Sequence, residues 1–115
     1  MYFMLHNTQY IALNARLNPQ GRLADGLWDL ITVSGLKGWS GTASAIELLL
    51  KSETGDHVSL DFVRTQRVRA LMLEQLPGAA SWTVLDGESV PNQPLFLEVH
   101  RQAAMILTAP DWVDI

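Results

Sequence analysis

The sequence contains no cysteine, which excludes disulfide bonds and thiolate metal sites and fits a reducing compartment. It also lacks any apolar run that approaches the roughly 20 residues of a membrane-spanning helix. The first ten residues, MYFMLHNTQY, have neither the basic start nor the long apolar core of a secretion signal. These absences predict a cytoplasmic protein that has no membrane contact.

Charged residues are scarce, at 17% of the chain, whereas hydrophobic residues make up 48%. This composition is typical of a packed globule and not of a disordered chain. A length of 115 residues is enough for one core. We therefore expect a single globular domain over residues 1–115.

The negative charge is concentrated in the second part of the chain. Residues 1–69 carry seven Lys or Arg and six Asp or Glu, a sum of +1, whereas residues 70–115 carry one Arg and six Asp or Glu, a sum of −5. An acidic surface disfavours nucleic-acid binding and favours a basic protein partner. Solubility alone is the simpler explanation of the same charge.

Residues 45–64, AIELLLKSETGDHVSLDFVR, predict a β-hairpin around the three-residue loop Glu53-Thr54-Gly55. Glycine suits the left-handed backbone of such a loop. The register pairs three sets of apolar residues on one face: Leu50 with Val58, Leu48 with Leu60, and Ile46 with Phe62. A two-residue loop would mix apolar and polar residues on each face, which a half-buried sheet does not allow.

Alternating residues predict further strands at 9–17, 27–33, 81–85 and 95–101, while 103–108 fits either a strand or a short helix. Asn18-Pro19-Gln20-Gly21 and Asp86-Gly87 are turn signals. The pattern changes to a helical period at 65–76, which Pro77-Gly78 ends. The fold class expected is α+β and mainly antiparallel. It has about six to eight strands in a sheet or a partly open barrel, with one principal helix near 65–76.

The hairpin register places Glu47 directly opposite Asp61 on the polar face, beside an exposed Leu49. Two facing carboxylates repel each other, so an arginine, a cation or a basic partner must compensate. Glu47, Leu49 and Asp61 form the predicted partner-binding surface together with Trp39 and Trp112. These two tryptophans lie in a loop and in the tail, and tryptophan suits interface contacts.

The sequence evidence for a catalytic or ligand-binding site is weaker than that for the partner-binding surface. The glycine-spaced segment 35–42, GLKGWSGT, matches neither a P-loop nor a dinucleotide fingerprint. Glu98 and His100 share one face of a predicted strand and, with Arg101, form an alternative ligand or acid–base site. We expect no metal and no cofactor.

The leading hypothesis is a small non-enzymatic protein-binding domain, such as an inhibitor, an antitoxin, an immunity-type protein or an assembly subunit. A homo-oligomer is left open. The alternative is a small-ligand-binding domain or a small enzyme that uses Glu98 and His100. A third hypothesis, nucleic-acid binding through Lys37, Arg64 and Arg67, lacks the aromatic partners that such a surface needs.

Overall fold

The computed structural model describes residues 1–78, 81–105 and 107. Its elements in chain order are β1 (Tyr2–His6), β2 (Trp28–Val33), helix α1 (Gly38–Ser52), the 3₁₀ helix η1 (Asp56–Ser59), β3 (Val63–Val68), β4 (Ala70–Leu73), β5 (Thr83–Leu85), β6 (Glu88–Val90) and β7 (Leu95–Glu98).

The central sheet is antiparallel and has the strand order β1-β2-β3. In the middle strand β2, buried and half-buried residues alternate, so that Asp29, Ile31 and Val33 lie on the buried face. This alternation with a period of two is the one that a half-buried strand requires. The prediction of a strand at 27–33 is confirmed.

The core lies on that face. Ile31, Val33 and Val63 are its fully buried apolar residues within the described part of the chain. Partly buried apolar side chains pack against them, from β1, from α1 and from the segments that flank α1 and η1: Met4, Leu36, Leu48, Leu60 and Phe62.

The predicted hairpin at 45–64 is wrong, because its first half is the C-terminal part of α1 and its second half contains η1. Short apolar runs fit a strand or a helix equally well, and the run of Ala and Leu residues here favours a helix. Glu47 and Lys51, four residues apart, form a salt bridge of 2.9 Å along the helix. Gly55 does have a left-handed backbone, with φ of +89°, but it follows α1 and precedes η1.

The predicted position of the principal helix, 65–76, is also wrong. Residues 63–68 form β3, which pairs along its whole length with β2, and residues 70–73 form β4. Val63, Thr65 and Val68 are β-branched and prefer strands. The pairing with β2 therefore overrides the helical spacing of the apolar residues.

Two small antiparallel sheets follow, β4 with β7 and β5 with β6. Asp86 and Gly87 connect β5 to β6 with φ angles of +48° and +90°. Positive φ at both central residues is typical of the type I′ turn of a two-residue hairpin. The predicted turn is confirmed, and so are shorter forms of the strands predicted at 81–85 and 95–101.

Residues 9–17 form turns with one isolated bridge between Ala12 and Ala15, so the strand predicted there is wrong. Residues 103–105 and 107 are neither strand nor helix, and the rest of the segment 103–108 lies outside the described residues. The expected class is confirmed: mainly antiparallel strands in small sheets, not a closed barrel, and one principal helix in the part of the chain that the structure describes. Within those residues, no helix combines the length and the apolar character needed to cross a bilayer.

Candidate functional site

A buried carboxylate continues the apolar row of β2. Asp29 shares the buried face with Ile31 and Val33, and it is only 4% exposed. Removing an ionised carboxylate from water is costly unless it is paired and hydrogen-bonded. Asp29 therefore needs hydrogen-bonding partners for both of its oxygens.

Both oxygens of Asp29 accept hydrogen bonds. The Asn18 amide Nδ2 donates to Oδ2 at 2.8 Å, and Arg67 Nε donates to Oδ1 at 3.0 Å. The strand register explains the second contact, because Arg67 lies directly opposite Asp29 in the β2–β3 pair. Asn18 itself is buried, so the amide and the carboxylate satisfy each other away from water.

Arg67 extends the cluster to a second carboxylate. Its terminal nitrogen donates to Asp25 Oδ2 at 2.5 Å and to the carbonyl of Gln20 at 3.4 Å. The other oxygen of Asp25 accepts a hydrogen bond from the backbone N–H of Leu27 at 3.0 Å. The hydrogen bond that Arg67 donates to Asp29 is the main cause that raises the pKa of Arg67, and the charge of Asp25 adds to it. We call Asn18, Asp25, Asp29 and Arg67 the aspartate–arginine cluster.

The loop that carries Asn18 is fastened at several points. The backbone N–H of Asn18 donates to the carbonyl of Gln9, and that of Arg16 donates to the carbonyl of Ser52 at the end of α1. His57, which has no exposed surface, is 3.0 Å from the carbonyl of Leu17 through Nε2. These contacts hold Asn18 in place beside Asp29.

Gly26 brings a distant segment to the cluster. A Cβ at this position would lie 2.1 Å from Cγ of Arg101, so the arginine stem passes directly over the glycine. Its φ of +73° also favours glycine. Arg101, which follows β7, therefore lies against the turn that carries Asp25.

His6 borders the cluster from β1, directly opposite Asp29. Burial lowers the pKa of His6 below its usual value, and the charge of Asp29 opposes this shift. The unfolded chain therefore binds the proton more readily than the folded state. Hence the free energy of unfolding should fall as the pH decreases below about 6.5, the pKa of an unperturbed histidine.

Urea unfolding of the wild type and of His6→Gln, measured from neutral pH to about pH 5, checks this expectation, since the pKa of an unperturbed histidine, about 6.5, lies between these limits. The wild type should lose more stability than the variant over this range, because the glutamine at residue 6 cannot bind a proton. An identical pH dependence for both proteins would contradict it.

The structure places three residues of the predicted partner surface on α1 and the fourth, Asp61, on another segment. The carboxylate of Glu47 pairs with Lys51 on α1, whereas Asp61 lies in the turn between η1 and β3, so the expected facing pair does not form. Leu49 is exposed on α1, and Trp39 is 94% exposed in the first turn of that helix. Trp112 lies outside the described residues.

The residues of the alternative site are partly brought together. Nε2 of His100 is 3.9 Å from the carboxylate of Glu98, and both side chains are exposed. Arg101 points instead to Gly26. Among the described residues there is no group of three or more His, Cys, Asp or Glu side chains that could hold a metal ion.

Sequence reasoning missed the aspartate–arginine cluster. One signal was present: Asp29 has the same phase as Ile31 and Val33, and a carboxylate in a core row needs a partner. Its partners are 11 and 38 residues away in the chain. The spacing of residues could not identify them.

Residues 1–108 match the family model described as YegS C-terminal NAD kinase beta sandwich-like domain. The chain is also similar to sphingosine kinase B of Dictyostelium discoideum, with 36% identity over 84 residues. That match covers 73% of this chain and 11% of the relative, so the chain corresponds to a small part of that protein.

These matches overturn the leading functional hypothesis. The prediction of a non-enzymatic protein-binding domain of the inhibitor, antitoxin or immunity type is wrong, because both matches are to kinase-related proteins. An acidic surface and the lack of a catalytic motif do not distinguish a small binding protein from a domain that supplies only part of an enzyme. Charge and composition describe solubility and association, not reaction chemistry.

Proposed function

We propose that this chain, which belongs to the YegS C-terminal NAD kinase beta sandwich-like domain family, is part of a lipid kinase. The 36% identity to a sphingosine kinase carries the proposal. The reaction is the transfer of a phosphoryl group to the hydroxyl of a long-chain amino alcohol such as sphingosine. Because the match covers 11% of the relative, the chain supplies one domain of the enzyme.

The contribution of this domain is the aspartate–arginine cluster. Asp25 is its outermost carboxylate, with 21% of the side chain exposed, and Arg67 and the N–H of Leu27 fix both of its oxygens. Arg67 in turn donates to the buried Asp29, whose other oxygen accepts a hydrogen bond from Asn18. Phosphoryl transfer depends mainly on positioning and electrostatics, so a fixed, partly exposed carboxylate suits the orientation of substrate donor groups.

A domain exchange tests this function. The matching segment of the Dictyostelium sphingosine kinase B is replaced by this chain, and phosphate transfer from ATP to sphingosine is measured. We expect the chimera to phosphorylate sphingosine. A chimera that unfolds as cooperatively as the parent enzyme but transfers no phosphate would contradict the proposal.

Asp25→Asn in the same chimera tests the site. The asparagine keeps an oxygen to accept the N–H of Leu27 but loses the charge that faces Arg67. We expect the rate of sphingosine phosphorylation to fall by about tenfold or more. Arg64→Ala is the matched control, because Arg64 is an exposed β3 residue outside the cluster and its removal should leave the rate unchanged.

A further inference from the structure

Most of the bulky apolar residues of helix α1 lie away from the core. Gly41 and Ser52 are its buried residues, and Leu48 is its contact with the core. The opposite side carries Trp39, Ala43, Ile46 and Leu50, which we call the outer ridge. Spacings of four, three and four residues keep them in one line along a helix.

The outer ridge is exposed to a degree that is unusual for such residues. Trp39 is 94% exposed, Leu50 73% and Ile46 54%, and Leu49 next to the ridge is exposed as well. A helix of a water-soluble domain normally shows the opposite arrangement, with small and polar residues outward. Contiguous exposed apolar side chains on a helix mark a surface that is covered when the protein works.

The charges near the ridge indicate what covers it. Lys37 immediately precedes α1, the first turn contains no acidic residue, and no side chain caps it. The positive end of the helix dipole is therefore not neutralised, and it adjoins Trp39. At the other end Glu47 and Lys51 neutralise each other, and Glu53 follows the helix. The cationic end, which carries the tryptophan, complements an anionic surface.

We infer that the outer ridge of α1 docks on an anionic lipid bilayer, with Trp39 and Lys37 at the level of the headgroups. This inference rests on the proposed function, because a long-chain amino alcohol resides in a membrane. Tryptophan and lysine favour that interface, and a convex apolar ridge inserts shallowly into it. With 15 residues, α1 is about 22 Å long, which is too short to cross the hydrocarbon core of a bilayer. The helix therefore lies in the plane of the interface.

Vesicle binding by the whole chain tests the inference without kinase activity. Cosedimentation is measured with phosphatidylcholine vesicles that contain about a third phosphatidylserine, and with vesicles of phosphatidylcholine alone. Ile46→Glu is compared with Met72→Glu, because both residues are 54% exposed and Met72 lies on β4, away from α1. We expect Ile46→Glu to weaken binding to the anionic vesicles about tenfold or more and Met72→Glu to leave it unchanged.

A second measurement uses Trp39, whose exposed side chain can be replaced without disturbing packing. Bromine-labelled phospholipid should quench the fluorescence of the wild type more than that of Trp39→Phe. Absence of vesicle binding, equal loss in both glutamate variants, or equal quenching with and without Trp39 would each overturn the inference.

Self-association is the competing explanation, and light scattering identifies it. The inference would also be overturned if the protein forms a dimer that Ile46→Glu dissociates and that vesicles do not disrupt.

The proposed kinase function and the proposed membrane surface can fail separately. An inactive chimera with ridge-dependent vesicle binding rejects the kinase function, whereas an active chimera without such binding rejects only the membrane surface.

Discussion

Arg67→Ala is expected to lower the free energy of unfolding by about 2–4 kcal/mol. The substitution removes the cation from Asp29, which is almost fully buried and keeps only the amide of Asn18 as a partner. It also removes the hydrogen bonds that Arg67 donates to Asp25 and to the carbonyl of Gln20. Because the Arg67 side chain is 39% exposed, water reaches part of the vacated space, and we place the effect below that of a fully buried pair. Urea unfolding measures the change.

Arg64→Ala is the control for this experiment. Arg64 lies three residues earlier on the same strand, is exposed, and contributes its backbone carbonyl to the hydrogen bond from Thr32. Its side chain can be removed at a cost within about 0.5 kcal/mol. The loss of stability for Arg67→Lys should lie between those of the two alanine variants. A single ammonium group cannot reproduce the guanidinium hydrogen bonds to both Asp25 and Asp29. Equal losses for Arg64→Ala and Arg67→Ala would show that the cluster does not stabilise the fold.

Gly41→Ala is expected to destabilise the protein by about 1–3 kcal/mol, although alanine is the better helix former by about 1 kcal/mol. A Cβ at residue 41 would lie 2.5 Å from the carbonyl carbon of Leu36 and 2.9 Å from its Cα. These are backbone atoms, so the clash cannot be relieved by a change of rotamer. The helix would have to move away from the segment that leads into it. Thermal or urea unfolding measures the loss.

Thr42→Ala separates the clash from helix propensity. Thr42 is the next residue of α1 and is exposed, with its hydroxyl donating to the carbonyl of Gly38 at 3.3 Å. The change to alanine should be neutral or stabilising by a few tenths of a kcal/mol, roughly the difference in propensity. A stabilising Gly41→Ala would contradict the close approach of α1 to Leu36.

The strands that were predicted well are those in which local pattern and tertiary contacts agree. β2 alternates visibly, and the structure buries one of its two sets of alternating residues, which includes Ile31 and Val33. The turn at Asp86-Gly87 needs positive φ at both positions, which aspartate and glycine tolerate better than most residues. Such features depend on a few neighbouring residues, so the sequence is sufficient to predict them.

Helix α1 was missed because Ile46, Leu48 and Leu50 alternate as the apolar residues of a strand do. In the helix, Leu48 packs against the core whereas Ile46 and Leu50 are exposed, so these three residues do not share one face. The prediction of a helix at 65–76 was wrong because pairing between strands outweighs the local pattern. The apolar residues of this segment have helical spacing, but the pairing of Val63–Val68 with β2 decides the structure.

The sequence by itself determined the α+β class, the alternating strand β2 and the tight turns. These follow from side-chain alternation and from backbone preferences that act over a few residues. Only the tertiary structure decided where the helix lies, which face of it remains open, and which residues neutralise Asp29. The physical reason is range: Asn18 and Arg67 meet that carboxylate only after the loop and β3 have packed on β2, and no spacing along the chain encodes that meeting.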